Sequence, residues 1–285
     1  MGSEMCIRDR YIDDLEIIEL VTLAGVIKEY DFRNHVASDI GINQKFLPPE
    51  SYSMQDTLNN LSRWTVENKM QINEEKSSYM IFSRSKEDFS SRLTINDQTL
   101  SQVKEAKLLG IWISDDLSWA RNTQEICKKA FSRLSIISRL KYAGMKRSDL
   151  LNIYILHVRS VTEYCSSAFH SSLTAEQERK LETIQKAALK IILGQNYSSY
   201  EDALIITNLK SLKDRRQERS LKFALKATKH PENRKMFPVN ENVNMLNTRN
   251  SEKFHVNFAH TEVYKKSAIP SLQRLLNQHM LQVTT

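Results

Sequence analysis

The sequence predicts a mainly α chain of the α+β class, with short β segments in roughly the first 119 residues and long amphipathic helices after them. Three observations lead there. Only six glycines and five prolines occur in 285 residues, a glycine share of about 2% against a usual value near 7%, which disfavours a turn-rich β architecture. Before Ser118-Trp119, short apolar runs alternate with Asn, Asp and Ser turn residues; beyond it, apolar residues recur every three to four positions over long stretches, the helical period. The chain is 40% hydrophobic and 26% charged, enough to build cores for one large or two ordinary domains.

Taken in order, residues 1–10 end in Arg8-Asp9-Arg10, three successive charges that do not suit a packed strand. Glu4 to Arg10 resembles the translation of a transposase mosaic-end adapter and is set apart from fold reasoning. Tyr11-Ile12-Asp13-Asp14 followed by Leu15–Val21 reads as a hairpin with carboxylates at its tip and an outgoing β-branched strand. Lys28 to Pro49 is a turn-bearing insertion. Ser53 caps a helix reaching about Lys69, with Met54, Leu58, Leu61 and Trp64 as its buried stripe.

Ile72 to Lys76 is a turn into the strand Ser78–Phe82, which a charged loop, Arg84 to Asp88, follows. Leu93 to Leu100 places Asn96-Asp97 between apolar ends, a short hairpin. Val103 to Ile113 reads as one strand in which Gly110 marks a bulge or a close backbone approach. Helices are then expected at Thr123–Lys141, Ser148–Phe169, Thr174–Leu193 and Leu209–Thr228. The third opens with the capping box Thr174-Ala175-Glu176-Gln177 and closes at Gly194. A less ordered stretch from Pro231 to about Asn257 precedes a terminal helix, Ser267–Leu281, with Pro270 in its first turn. The expected divisions are therefore 11–119, 120–230 and 231–285.

Charge narrows the class of partner. The net +7 divides unevenly: residues 1–120 carry 13 Lys/Arg against 20 Asp/Glu, whereas residues 121–285 carry 28 against 14. A segment with twice as many cations as anions attracts polyanions, of which nucleic acid is the foremost. On the Thr123–Lys141 helix, Lys128, Lys129, Arg133, Arg139 and Lys141 surround the apolar face. Cys6, Cys127 and Cys165 are too few and too scattered for a disulfide framework or a zinc site, so a reducing intracellular compartment is expected, cytoplasm or nucleus, and no targeting signal is visible. The longest apolar stretch, Leu15 to Ile27, is broken by Glu16 and Glu19 and is too short to span a bilayer, so no membrane partner is expected. His157, Cys165 and His170 do not share a helical face and read as packing or surface residues. Trp64, Trp112 and Trp119 read as core or hinge packing.

The order of short motifs carries a further signal. Tyr11-Ile12-Asp13-Asp14, Leu61-Ser62-Arg63-Trp64, Asn73-Glu74-Glu75-Lys76, Tyr79-Met80-Ile81-Phe82 and Leu109-Gly110-Ile111 resemble, in sequence, the later palm motifs of non-long-terminal-repeat retrotransposon reverse transcriptases of the jockey or CR1 kind. The resemblance continues through Asp116-Leu117-Ser118-Trp119, the Ile155–Tyr164 segment, Leu181–Lys186, Asp214-Arg215-Arg216 and Tyr264–Pro270. It implies an incomplete palm of hairpin, helix and short strands, followed by a helical thumb and a C-terminal helical region. It implies that Asp13 and Asp14 help hold two Mg²⁺ ions, with RNA template, DNA primer and deoxynucleotide as partners and no other small-molecule cofactor. Tyr11 would stand beside the primer end, and Lys76 would donate a proton or neutralise phosphate. Leu109 and Gly110 would lie along the strand that grips the primer, and the basic residues from about 121 onward would contact phosphates without reading sequence.

Catalysis by the 285 residues alone is not expected. The family's palm motifs that supply a further metal-binding aspartate and the nucleotide pocket come before Tyr-x-Asp-Asp, and only ten residues stand there. Two carboxylates from one hairpin cannot position two hard cations and a triphosphate. The expectation is an inactive C-terminal fragment of an RNA-directed DNA polymerase. The alternatives are a non-catalytic basic nucleic-acid-binding module and a degenerate repeat remnant without function.

Overall fold

The computed structural model describes residues 11–12, 54–82, 92–239, 254–256, 259 and 261–284. Asp13, Asp14, the Leu15–Val21 strand, the Lys28–Pro49 insertion, the Ser53 cap and the Arg84–Asp88 loop lie outside them. The chain is mainly helical with small two-stranded sheets, and it divides into two compact units, residues 1–118 and 119–285.

In the first unit, β1 (Tyr11–Ile12) runs parallel to β2 (Gln71–Ile72), with Tyr11 opposite Gln71 and Ile12 opposite Ile72. Helix α1 (Met54–Glu67) buries Leu58, Leu61 and Thr65. It ends when Lys69 turns to φ 55°, so that Met70 N–H reaches Thr65 O at 2.8 Å and Lys69 N–H reaches Val66 O at 3.1 Å. This closure usually uses glycine. A 3₁₀ turn, Glu74–Lys76, capped by the Asn73 side chain, leads to β3 (Ser78–Tyr79). The strand expected to reach Phe82 thus stops at Tyr79. Asn96 and Asp97, both at positive φ, form the tight turn between β4 (Thr94–Ile95) and β5 (Gln98–Thr99), as two-residue hairpins require. Gln55 ties α1 to this hairpin twice, its amide donating to Thr94 O at 2.8 Å and accepting from Thr94 N at 2.9 Å. Leu93, Ile95 and Leu100 complete the core with Leu58, Leu61 and Ile72, and Met54 and Trp64 pack against it.

Next, β6 (Ser101–Gln102) runs parallel to β3. The single strand expected over Val103–Ile113 is instead a hairpin. Strands β7 (Glu105–Leu108) and β8 (Ile111–Ser114) pair antiparallel, with Leu108 opposite Ile111. Leu109 at φ 45° and Gly110 at φ 88° make the turn. A continuous strand has no place for two successive residues at positive φ, so Gly110 is a turn residue, not a strand bulge.

The second unit is built on α2 (Ala120–Tyr142), whose Ile126, Ala130, Leu134 and Ile137 are buried. They meet Leu181, Ile184, Ala188 and Ile192 of α6 (Ala175–Leu193). Side chains of this size each contribute roughly 1.5–3 kcal/mol when fully buried, so this seam supplies much of the unit's cohesion. Thr174 and Gln177 close the expected capping box on α6, and Gly194 ends it at φ 58°. The helix expected over Ser148–Phe169 is interrupted. It comprises α3 (Arg147–Ile153), a π-helical segment (Tyr154–Arg159), α4 (Ser160–Glu163) and, after a break at Tyr164-Cys165, α5 (Ser166–Phe169). Cys165 takes the left-handed conformation, φ 47°, which no helix interior accepts. The break lets Phe169 join the α2–α6 core, 5.7 Å from Trp119. A 3₁₀ turn (His170–Ser172) follows.

Helix α7 (Tyr200–Thr207) is capped by Ser199, and α8 (Leu212–Ala227) by Ser211, so the segment expected to begin at Leu209 starts three residues later. The short α9 (Pro231–Arg234) and α10 (Glu262–Lys266) precede the terminal α11 (Ala268–Thr284). Leu272 and Leu276 of α11 pack with Ala224, Ala227 and Phe237. Among the described residues no helix is long and apolar enough to cross a membrane.

Candidate nucleic-acid interface

The expected site residues divide between the two units and the positions outside the described residues. Asp13 and Asp14 lie outside the described residues, and of Tyr11 only its strand pairing is described. Lys76 is exposed at the end of its 3₁₀ turn, its backbone N–H bonded to Asn73 Oδ1 at 3.0 Å. Leu109 is 71% exposed at the β7–β8 tip. Among the described residues no group of three or more His, Cys, Asp or Glu side chains is arranged to hold a metal ion.

The basic residues of α2 divide by direction. Lys128, Lys129 and Arg139 are exposed, and none takes part in an ion pair among the described residues. Arg133 is exposed as well, yet its Nη1 donates to the His157 carbonyl in the π-helical segment. Lys141 points elsewhere. Half-buried, its Nζ donates to Ile191 O near the C-terminus of α6, where unpaired carbonyls and the helix dipole attract a cation.

A second group of cations surrounds one carboxylate. The Glu163 side chain is 7% exposed. Oε1 accepts from Arg215 Nε, Oε2 from Arg215 Nη2 at 3.1 Å and Arg219 Nη1 at 3.4 Å, and Arg159 Nε stands 3.4 Å from Oε1. Three guanidiniums against one carboxylate leave a surplus of two positive charges. Its hydrogen bond to Glu163 raises the Arg215 guanidinium above its ordinary range, whereas burial, followed by repulsion from Arg215, pulls Arg159 down.

From Arg215 the charge continues along α8. Arg215, Arg219, Lys222 and Lys226 are spaced i, i+4, i+7 and i+11, one stripe of the helix. They span about 16 Å, the axial rise of about five phosphates on one DNA strand. Lys222 and Lys226 are exposed, and the half-exposed Phe223 ring lies at the stripe's edge. Arg133 bonds the carbonyl two residues before Arg159, and Arg159 shares Glu163 with α8. Arg133 of α2 is therefore joined through the π-helical segment to the α8 stripe, within which Glu218 is the one acidic residue, as a basic band.

A buried polar network sets the start of α8. Tyr154 Oη donates to Gln185 Oε1 at 2.6 Å, and Gln185 Nε2 donates to Tyr200 Oη and Lys210 O, both at 2.9 Å. Tyr200 Oη in turn donates to Glu182. Glu182 also accepts from Leu212 N at 2.9 Å and Lys213 N at 3.3 Å, so its carboxylate sits on the N-terminus of α8 and complements the helix dipole. Burial raises both tyrosines far above their usual range, and at Tyr200 the bond to Glu182 adds to it. These phenols act as fixed donors.

The cations of α2 are thus only part of the band. The cations of α8 were visible as composition, and their spacing by three and four residues was a signal that could have found the stripe. Comparison of the chain with protein families, curated proteins and solved structures finds no match.

Proposed function

We propose that this chain is part of an RNA-directed DNA polymerase of the non-long-terminal-repeat retrotransposon class, and that residues 119–285 hold the sugar-phosphate backbones of an RNA template and DNA primer. The observation that carries the reading is the basic band, in which cations of α2 and α8 outnumber the carboxylates among them, Glu163 and Glu218. Phosphate contact of this kind positions a strand and carries no sequence information. The ordered motifs from Tyr11 to Pro270 supply the polymerase part of the reading. In an assembled enzyme Asp13 and Asp14 would offer carboxylates to Mg²⁺, which stabilises the developing charge of nucleotide transfer. Asp13 and Asp14 lie outside the described residues, and we assign no catalytic step to this chain. A non-catalytic nucleic-acid-binding module is the second reading, because the band lies wholly within residues 119–285.

Fluorescence anisotropy with a template–primer duplex tests the shared claim. Affinity should fall steeply with salt, and the Lys222→Ala/Lys226→Ala variant should lower the slope of log K against log salt by about two, roughly one per lost phosphate contact. An unchanged slope and affinity removes α8 from the interface. Asp13→Ala/Asp14→Ala should leave binding unchanged, and primer extension by the 285 residues in Mg²⁺ would overturn the assignment of no catalytic step.

A further inference from the structure

We propose that the cleft between the His170–Ser172 turn, α8 and α11 binds a small oxyanion of the phosphate class. The cleft has a volume of about 200 Å³; six of its ten lining residues carry hydroxyl or amide groups, the others being His170, Arg274 and the apolar Leu272 and Leu275, with no aspartate or glutamate. That is below the roughly 300–1,000 Å³ of sites for drug-sized ligands, so it suits a single compact group. Ser220, in its wall, is 4% exposed, and its Oγ has no hydrogen-bond partner. Nδ1 of His170, also in the wall, is buried and without a partner.

One helical turn before Ser220, Arg216 is 0% exposed, and its Nε, Nη1 and Nη2 are all without hydrogen-bond partners. Its charge lies close enough to His170 to help keep the imidazole neutral. Buried polar groups are nearly always paired, and the two orphans in the wall, Ser220 Oγ and His170 Nδ1, mark a missing partner, whereas the Arg216 charge behind them is balanced by Glu182, Glu178 and Glu163. Arg274, on the opposite wall, is held by donation from Nη2 to Lys265 O and to Ser271 Oγ at 3.1 Å. Hydroxyl and guanidinium donors with no carboxylate among the lining residues select an anion with several acceptor oxygens over a cation; Glu178, which acts on His170, stands outside the lining. The source is free phosphate or a phosphodiester of bound nucleic acid, which share this chemistry.

The test uses the full chain and inorganic phosphate, with chloride at matched ionic strength as reference. Phosphate should raise the thermal midpoint saturably, with an apparent Kd of about 5 mM or below, as a ligand of the native state must. Ser220→Ala and Arg274→Met should each weaken it at least tenfold. Ser220→Ala removes an unpaired hydroxyl, so the variant is expected to fold; circular dichroism checks both. If a phosphodiester is the occupant, phosphate competes with a short single-stranded RNA and both substitutions weaken RNA binding. If free phosphate is the occupant, RNA affinity stays constant. No saturable response to phosphate up to about 50 mM, or an equal response in both variants, overturns the proposal, leaving RNA binding by the α8 stripe untouched.

Discussion

Replacing Glu163 by Gln should destabilise the second unit more than any other single change to its charged residues. The substitution keeps the shape and removes the one negative charge among three guanidiniums, whose Arg159 and Arg215 side chains are only 12% and 25% exposed. Removing one partner of a buried ion pair costs about 3–5 kcal/mol. The lower end applies here, about 3 kcal/mol, because Arg219 is 51% exposed and its share is screened by solvent. The assay is equilibrium urea unfolding of the full chain carrying Trp64→Phe and Trp112→Phe, so that Trp119, packed against Phe169, reports the second unit alone. With m between about 1 and 3 kcal/mol/M, the midpoint should fall by at least about 1 M. Adding Arg215→Met removes part of the repulsion, so the double variant should lose at least about 1 kcal/mol less than the sum of the single losses. A loss under about 0.5 kcal/mol, or strict additivity, would show that the cluster is an ordinary surface ion pair.

Leu109→Asn should stabilise the β7–β8 hairpin by up to about 1 kcal/mol, because Asn-Gly suits a turn with both residues at positive φ and Leu does not; faster amide exchange at Ala106 and Ile113 would contradict the turn. Burial, reinforced by Arg216, pushes His170 down to about 4, so between its ordinary range and that value the unfolded chain binds the extra proton. Stability should be full above about pH 6.5 and decline as pH falls toward 4, by about 1 kcal/mol at pH 5 after allowance for partial exposure; His170→Gln should flatten that part of the urea-midpoint profile, and an unaltered profile refutes the assignment. Gly194→Ala should cost about 1–3 kcal/mol in the same unfolding assay, since φ is +58° and the added Cβ would lie 2.5 Å from Lys141 Nζ. Gly144→Ala, at φ +81° with nothing within 4 Å, should cost only the backbone strain, about 1 kcal/mol.

What was legible in the sequence is what local chemistry decides. Thr174 and Gln177 sit three residues apart and serve each other across a helix start, and Asn96-Asp97 are residue types that accept the positive φ their turn requires. The α2 stripe follows from spacing alone. Leu109-Gly110 misled because an apolar residue at positive φ breaks the rule by which turns are recognised. The helix break at Tyr164-Cys165 contains neither Gly nor Pro; it follows from tertiary demands, Glu163 facing Arg215 and Phe169 facing Trp119. Helix α7 escaped notice because Ala203, Leu204, Ile205 and Ile206 are contiguous, not spaced, and Ile205 is 78% exposed. At the candidate site, sequence reveals which residues are cations but not where they point. Lys128 and Lys129 face outward, while Lys141 is drawn to carbonyls 50 positions away.

Glu163 also explains why the band is fixed in direction. An arginine loses about 0.5–1.5 kcal/mol when a partner immobilises it, a cost that falls on binding unless the fold has met it already. Here the carboxylate holds Arg159, Arg215 and Arg219 before any strand arrives, and the break after α4 is what keeps that carboxylate against α8. Neutralising one positive charge weakens long-range attraction by an amount that salt largely screens. Ordering three guanidiniums lowers the entropic cost of each contact at any ionic strength. On the proposed reading, in which the surface holds a strand without reading its bases, a fixed array serves better than a larger but disordered one.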